Sequence, residues 1–200
     1  LDAFKIYCAE RCIELVPNQN SLGHMAPWLE RPEYRHLAEQ EDGLEVMGRK
    51  FPPTTLDVSD PESLKLVERM MDDLLPHFDS EWFNVGLDEA FELGKGKNAQ
   101  LVRKCGADRL FLDYAVRLYE QVKARGKRMM MWADAPASSE LLRRELPALL
   151  RSIKDLGYAV KLDTNGSHPE ALRAVVATGL VDYVAMDIKN SPAKSAATVG

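Results

Sequence analysis

The residue types in this chain best suited to chemistry are two neighbouring acids, Asp88 and Glu89. They follow the apolar run WFNVG and precede the stretch ELGKGK, so the spacing predicts two carboxyl groups at a strand tip where the backbone can curl toward one pocket. Cleavage of a glycosidic bond commonly uses two such groups. One is held protonated to release the leaving oxygen, and the other stabilises charge building on the sugar. Taken alone, the two acids also fit a solvated turn. His24 in NSLGHM, Asn20, Asn84, Trp132 at the end of RMMMW, and Asp134 are further candidates. Each has an ordinary structural role beside a functional one: His24 as a satisfied loop residue, Trp132 as a core aromatic, Asp134 as the cap of a following helix.

The elements that must position these groups follow from hydrophobic patterning. Five apolar segments read as strands: Ile13 to Val16, Trp82 to Gly86, Arg128 to Trp132, Ala159 to Leu162 and Tyr183 to Met186. Helical patterns alternate with them, the order expected of parallel strands joined by crossover helices. Asp60-Pro61 reads as an N-cap with Pro at the first helical position, and Leu64, Val67, Met71 and Leu74 then recur at helical spacing. Leu110, Tyr114, Leu118 and Val122 form a second stripe closed by Gly126. Pro147 interrupts a third helical pattern. The expected fold is α/β, a partial (β/α) barrel of about five parallel strands, because a complete eight-stranded barrel takes about 250 residues. Val160, Leu162, Val184 and Met186 are expected to be buried against helices. Residues 40 to 59, rich in Gly and Pro, are expected to form a long loop on the same side as the strand tips, where ligands sit in parallel folds.

Composition narrows the function classes. The chain has 200 residues, 46% hydrophobic and 28% charged, an ordinary globular mix that excludes disordered and collagenous classes. A net charge of -5 without a long run of one sign gives no nucleic-acid footprint, and no apolar stretch approaches the roughly 20 residues of a membrane span. Cys8, Cys12 and Cys105 are too few and too scattered for a disulfide framework, so reduced thiols in a cytoplasmic compartment are expected. The start at Leu1 shows no signal peptide, and the absent initiator Met points to an N-terminus further upstream. Residues 194 to 200 read as a tail.

Three stretches together, CIELVPNQNSLGHMAPWLERPEYRHLAE, PPTTLDVSDPESLKLVERMMDDLLPHFDSEWFNVGLDEAFELGKGK and GKRMMMWAD, resemble glycoside hydrolase family 20, the β-N-acetylhexosaminidases, over about residues 1 to 147. The resemblance implies a retaining, substrate-assisted mechanism on a terminal β-linked N-acetylhexosamine, an exception to the two-carboxylate scheme. It implies Glu89 as general acid and later base, and Asp88 as the group that orients the substrate's own 2-acetamido group. It further implies His24, in the family's Gly-His, as support for the acids or the substrate. Asn20 stands near where many members carry an acidic partner, and Asn84 where many carry His. Trp132 takes the place of an aromatic wall of the sugar pocket, and Asp134 that of a partner for sugar hydroxyls. No metal or organic cofactor is implied.

Beyond Pro147, the stretch LLRSIKDLGYAVKLDTNGSHPEALRAVVATGLVDYVAMDIKNSP resembles the activating protein of anaerobic ribonucleoside-triphosphate reductase, a radical S-adenosylmethionine enzyme, over about residues 148 to 193. That resemblance implies a cofactor pocket near DTNG and Lys189. Its chemistry needs three thiolates spaced Cys-x3-Cys-x2-Cys around an iron-sulfur cluster. Cys8 and Cys12 give the first interval, but Leu15 occupies the third position. The alternatives to a hydrolase are therefore a non-catalytic barrel chimera that binds sugar, and an activating enzyme lacking its cluster motif. The expected partner is an N-acetylated amino-sugar glycoside, with no nucleic acid and no membrane. An open sheet edge would leave room for a homo-oligomer.

Overall fold

The computed structural model describes residues 2–46, 48–132, 160–164 and 169–186, together with positions 147, 148, 150, 151, 154 and 155. The chain divides into two compact units, Leu1–Met131 and Trp132–Gly200.

In the first unit, α1 (Asp2–Ala9) leads into an extended segment. The segment expected as a strand, Ile13 to Val16, forms no ladder. Pairing begins later, at the parallel bridge between Asn18 and Asn84, with the Asn84 N–H donating to Pro17 O and the Gln19 N–H donating to Asn84 O. Pro17 has no N–H to donate, which confines this edge to a short contact. The chain then passes through α2 (Ala26–Leu29) and a 3-10 turn, Arg35–Leu37. The region expected as a loop carries an antiparallel hairpin, β1 (Leu44–Val46) with β2 (Arg49–Phe51), and a bridge between Ala38 and Leu56. Sequence patterning could not show the hairpin because β2 is exposed along its whole length and lacks the buried face that produces alternation.

Next comes α3 (Pro61–Leu74), which starts as expected. The Asp60 carboxylate accepts from the Glu62 N–H, and Pro61 occupies the first turn, a cap worth about 1 kcal/mol. Its buried face is Ser63, Leu66, Val67, Met70 and Met71, so the stripe is rotated from the expected one and leaves Leu64 and Leu74 half-buried. Strand β3 (Trp82–Asn84) follows, then α4 (Ala99–Cys105), α5 (Ala107–Ala124) and β4 (Arg128–Met130). Strands β3 and β4 pair in parallel, Phe83 opposite Met129, and α5 buries Leu110, Phe111, Tyr114, Ala115, Leu118 and Val122. This is the expected parallel crossover unit. Its core is Phe83 and Val85 with Leu22, Met25, Leu56, Val58, Val67, Met71 and Tyr114, all fully shielded from solvent. Each large apolar side chain so buried contributes about 1.5–3 kcal/mol.

The second unit contains a parallel pair, β5 (Lys161–Thr164) and β6 (Tyr183–Met186), joined through α6 (Pro169–Ala177). The pairing agrees with the expected strand-helix-strand order. The expected burial does not hold: Val160, Leu162 and Val184 are half-buried and Met186 is 51% exposed. A parallel pair hides both faces only when layers cover each of them. Among the described residues, the strands form two parallel pairs and one hairpin. The expected tail lies outside the described residues, as do most of the leucines flanking Pro147.

Candidate active site

The site is built where β3 ends. The ladder continues one residue past the strand, as the Val85 N–H donates to Met130 O, and then the backbone turns sharply. Leu87 has φ +74° and Glu89 φ +48°, and across from them His24 has φ +57°. Left-handed conformations cost non-glycine residues about 1–3 kcal/mol each and persist only where the surroundings hold them. Leu87 supplies part of that hold, since its side chain is 1% exposed and locks the turn into the core. Gly23 supplies another part. A Cβ there would sit 2.2 Å from Asp88 O, so only glycine lets the His24 loop come this close to the acid-bearing backbone.

The result is convergence of three side chains. His24 Nε2 lies 3.1 Å from Asp88 Oδ2 and 3.4 Å from Glu89 Oε2. Because carboxylates accept, the His24 Nε2–H is the donor to Asp88. The side chains are 42%, 25% and 51% exposed for His24, Asp88 and Glu89, so the histidine bridges the acids at a surface open to a ligand.

Asn20 approaches the same turn: a Cβ on Gly86 would meet Asn20 Oδ1 at 2.6 Å and Asp88 Oδ1 at 3.4 Å. Asn84 is turned to its own strand end, its Oδ1 accepting from the Gly86 N–H at 2.9 Å. It therefore shapes the turn that delivers the acids. Trp132 belongs to the second unit and is 42% exposed. Asp134 lies outside the described residues, as do Asn165 and Lys189. Among the described residues, no group of three or more His, Cys, Asp or Glu side chains is arranged to hold a metal ion, and no helix is long and apolar enough to cross a membrane.

Sequence reasoning missed a layer of buried polar residues behind the site. Glu39, 1% exposed, accepts through Oε1 from the N–H groups of Gly94, Gly96 and Asn98 at 3.0–3.1 Å. The buried Asn98 amide donates to Glu39 and to Asp57 Oδ1. Glu92, wholly buried, accepts from Thr54 and Thr55. The usable signal in the sequence was the Gly-x-Gly at 94 and 96. A Cβ on Gly96 would meet Glu39 O at 2.0 Å.

Acids at the carboxyl end of a parallel strand, braced by a histidine from the preceding crossover, define an α/β protein of the kind whose ligands sit at strand tips. The family model described as glycosyl hydrolase family 20, catalytic domain, matches residues 3–166, and the chain belongs to that family. The match runs past Pro147, where the sequence resemblance to hydrolases was expected to stop. Among curated relatives, lacto-N-biosidase of Bifidobacterium bifidum is 31% identical over 133 residues, which are 61% of this chain and 11% of that protein. A stretch of 41 residues, 20% of this chain, is 46% identical to a putative glycyl-radical enzyme activating enzyme of Methanocaldococcus jannaschii and covers 17% of it. The crystal structure of β-N-acetylhexosaminidase from Bacteroides fragilis superposes on 90% of this chain and 34% of its own, with TM-score 0.59 and 18% identity, a likeness of fold. The chain thus spans between about a tenth and a third of the length of these proteins.

Proposed function

We propose that this chain carries the acid site of a retaining β-N-acetylhexosaminidase acting on terminal β-linked N-acetylhexosamine. The observation that carries the reading is the meeting of Asp88 and Glu89 at His24 Nε2 within a chain of glycoside hydrolase family 20. Glu89, the more exposed acid, protonates the glycosidic oxygen. Asp88, hydrogen-bonded to His24, holds and polarises the 2-acetamido group so that its carbonyl oxygen attacks the anomeric carbon. The leaving alcohol departs, an oxazolinium intermediate forms, and water opens it with Glu89 as base, so configuration is retained. In this reading Asn20 and Asn84 shape the acid turn, and the chain supplies part of a (β/α) barrel.

The test is hydrolysis of a chromogenic N-acetylglucosaminide by the full-length protein. Glu89→Gln is expected to lower kcat by about 10²–10⁴-fold, the usual worth of a positioned proton donor. Equal release by the native and Glu89→Gln proteins would overturn the reading. The 41-residue similarity to a radical-enzyme activator favours a second reading, a chimera in which residues 148 to 193 come from another family and sugar is bound without turnover. Saturable binding of N-acetylglucosamine by calorimetry, with no hydrolysis, would support it.

A further inference from the structure

The segment after Glu89 is secured in an unusual way. It advances by tight turns, with the Phe91 N–H donating to Glu89 O, the Leu93 N–H to Ala90 O and the Lys95 N–H to Glu92 O. At the centre of these turns stands Glu92, with no solvent exposure. One of its oxygens, Oε2, accepts three bonds: from the Thr54 N–H at 2.9 Å, the Thr54 hydroxyl at 2.9 Å and the Thr55 N–H at 2.6 Å. Oε1 is buried without a hydrogen-bond partner among the described residues. An unsatisfied buried carboxylate oxygen is uncommon in native proteins.

The bonds to Oε2 tie Glu92 to the loop that carries His24. The Thr54 carbonyl oxygen accepts from the Met25 N–H at 2.8 Å, and Met25 is the neighbour of His24. A single residue, Thr54, thereby joins the two strained loops that bring His24 and Glu89 together: its N–H and hydroxyl hold Glu92, three residues past Glu89, and its carbonyl holds Met25, one residue past His24. The Glu39 carboxylate grips the same segment further along, at Gly94, Gly96 and Asn98. Glu39 also reaches this corner, its main-chain N–H donating to Thr55 O at 2.9 Å, but the Glu92 carboxylate bonds Thr54 itself.

We propose that Glu92 is a positioning residue of this site: acting through Thr54, its buried carboxylate sets the spacing of His24 from Glu89 and so aims the proton that Glu89 delivers. The inference rests on the hexosaminidase reading above. Glu92 touches no substrate. Removing its side chain strands the Thr54 and Thr55 N–H groups, and the segment must shift to find them new acceptors. Gln at this position keeps one acceptor oxygen in place.

The experiment compares the native full-length protein with Glu92→Ala, Glu92→Gln and Thr54→Val on two N-acetylglucosaminides. One has dinitrophenol as leaving group and needs little protonation; the other has a sugar alcohol and needs it fully. Glu92→Ala is expected to lower kcat/KM about 100-fold on the sugar glycoside, the penalty of a roughly 1 Å misplacement, and only a few-fold on the dinitrophenyl glycoside. Glu92→Gln is expected to restore most of the loss. Thr54→Val, which removes one bond and keeps the shape, gives the same leaving-group pattern at smaller size and serves if Glu92→Ala does not fold. Hydrogen exchange at the Met25 N–H, which donates to Thr54 and not to Glu92, is expected to quicken in Glu92→Ala and in Thr54→Val. Equal losses on the two substrates, or no change in Met25 exchange, would overturn the proposal. If the native protein cleaves neither glycoside, the hexosaminidase reading fails, and the tie to His24 stands or falls on Met25 exchange alone.

Discussion

At the scale of single residues, the site depends on backbone in conformations that side chains resist. His24, Leu87 and Glu89 all have positive φ, and Gly23 lies against the carbonyl of Asp88. An added methyl at Gly23 has nowhere to go, because the atom it meets belongs to a main chain already fixed by the buried Leu87. Gly23→Ala is therefore expected to cost about 1–3 kcal/mol by overpacking, measured by urea denaturation. It should also separate His24 from the acids, lowering hydrolysis beyond what the stability loss explains. Unchanged stability would mean that the two loops part freely, contrary to the close approach described.

Among the elements, α5 helps to keep the His24 loop in place. Tyr114, fully buried, donates its hydroxyl to Ser21 O at 2.7 Å, three residues before His24, while Arg117 donates to Val58 O. Burial raises the Tyr114 hydroxyl above its ordinary range, and the nearby Arg117 cation opposes this in part. The folded form then resists ionisation that the unfolded chain undergoes near pH 10. The contribution is whole below that pH and is lost progressively above it, as pH rises toward and through the raised value of the folded form. Tyr114→Phe is expected to lose about 1–2 kcal/mol at neutral pH by leaving Ser21 O unpaired, and to flatten the alkaline fall in urea midpoint. The stripe that buries Tyr114 was legible in the sequence, as were the cap at Asp60, the parallel β3–β4 and β5–β6 pairs, and the acids at the strand tip. What was not legible has a common physical cause. Glu39 and Glu92 bond main-chain N–H groups from segments distant in sequence, and such partners leave no mark in residue type. Ile13 to Val16 looks like a strand in composition, but composition does not show whether a neighbour offers a ladder. The Glu45–Lys50 hairpin pair lies in an exposed ribbon, where no core imposes a pattern.

For the whole molecule, the question is how far one chemistry extends along the chain. The family match reaches residue 166, while the short similarity to a radical-enzyme activator covers a fifth of the chain. An activator holds its cluster through three thiolates, and Leu15 occupies the position the third would need after Cys8 and Cys12. Cys8 is buried, whereas Cys12 and Cys105 are exposed free thiols. Anaerobic reconstitution with iron and sulfide is accordingly expected to leave iron well below the roughly four atoms per chain of a filled cluster, measured by metal analysis. Stoichiometric iron with cleavage of S-adenosylmethionine would transfer the chain's chemistry to its last third.

The grip of Glu39 on Gly94, Gly96 and Asn98 has a consequence for how such a protein can change over generations. The grip engages amides common to every amino acid, so the outward side chains of Phe91 and Lys95 contribute nothing to it. Those two positions are free to be redrawn by drift or by laboratory libraries while the backbone beneath them stays in register.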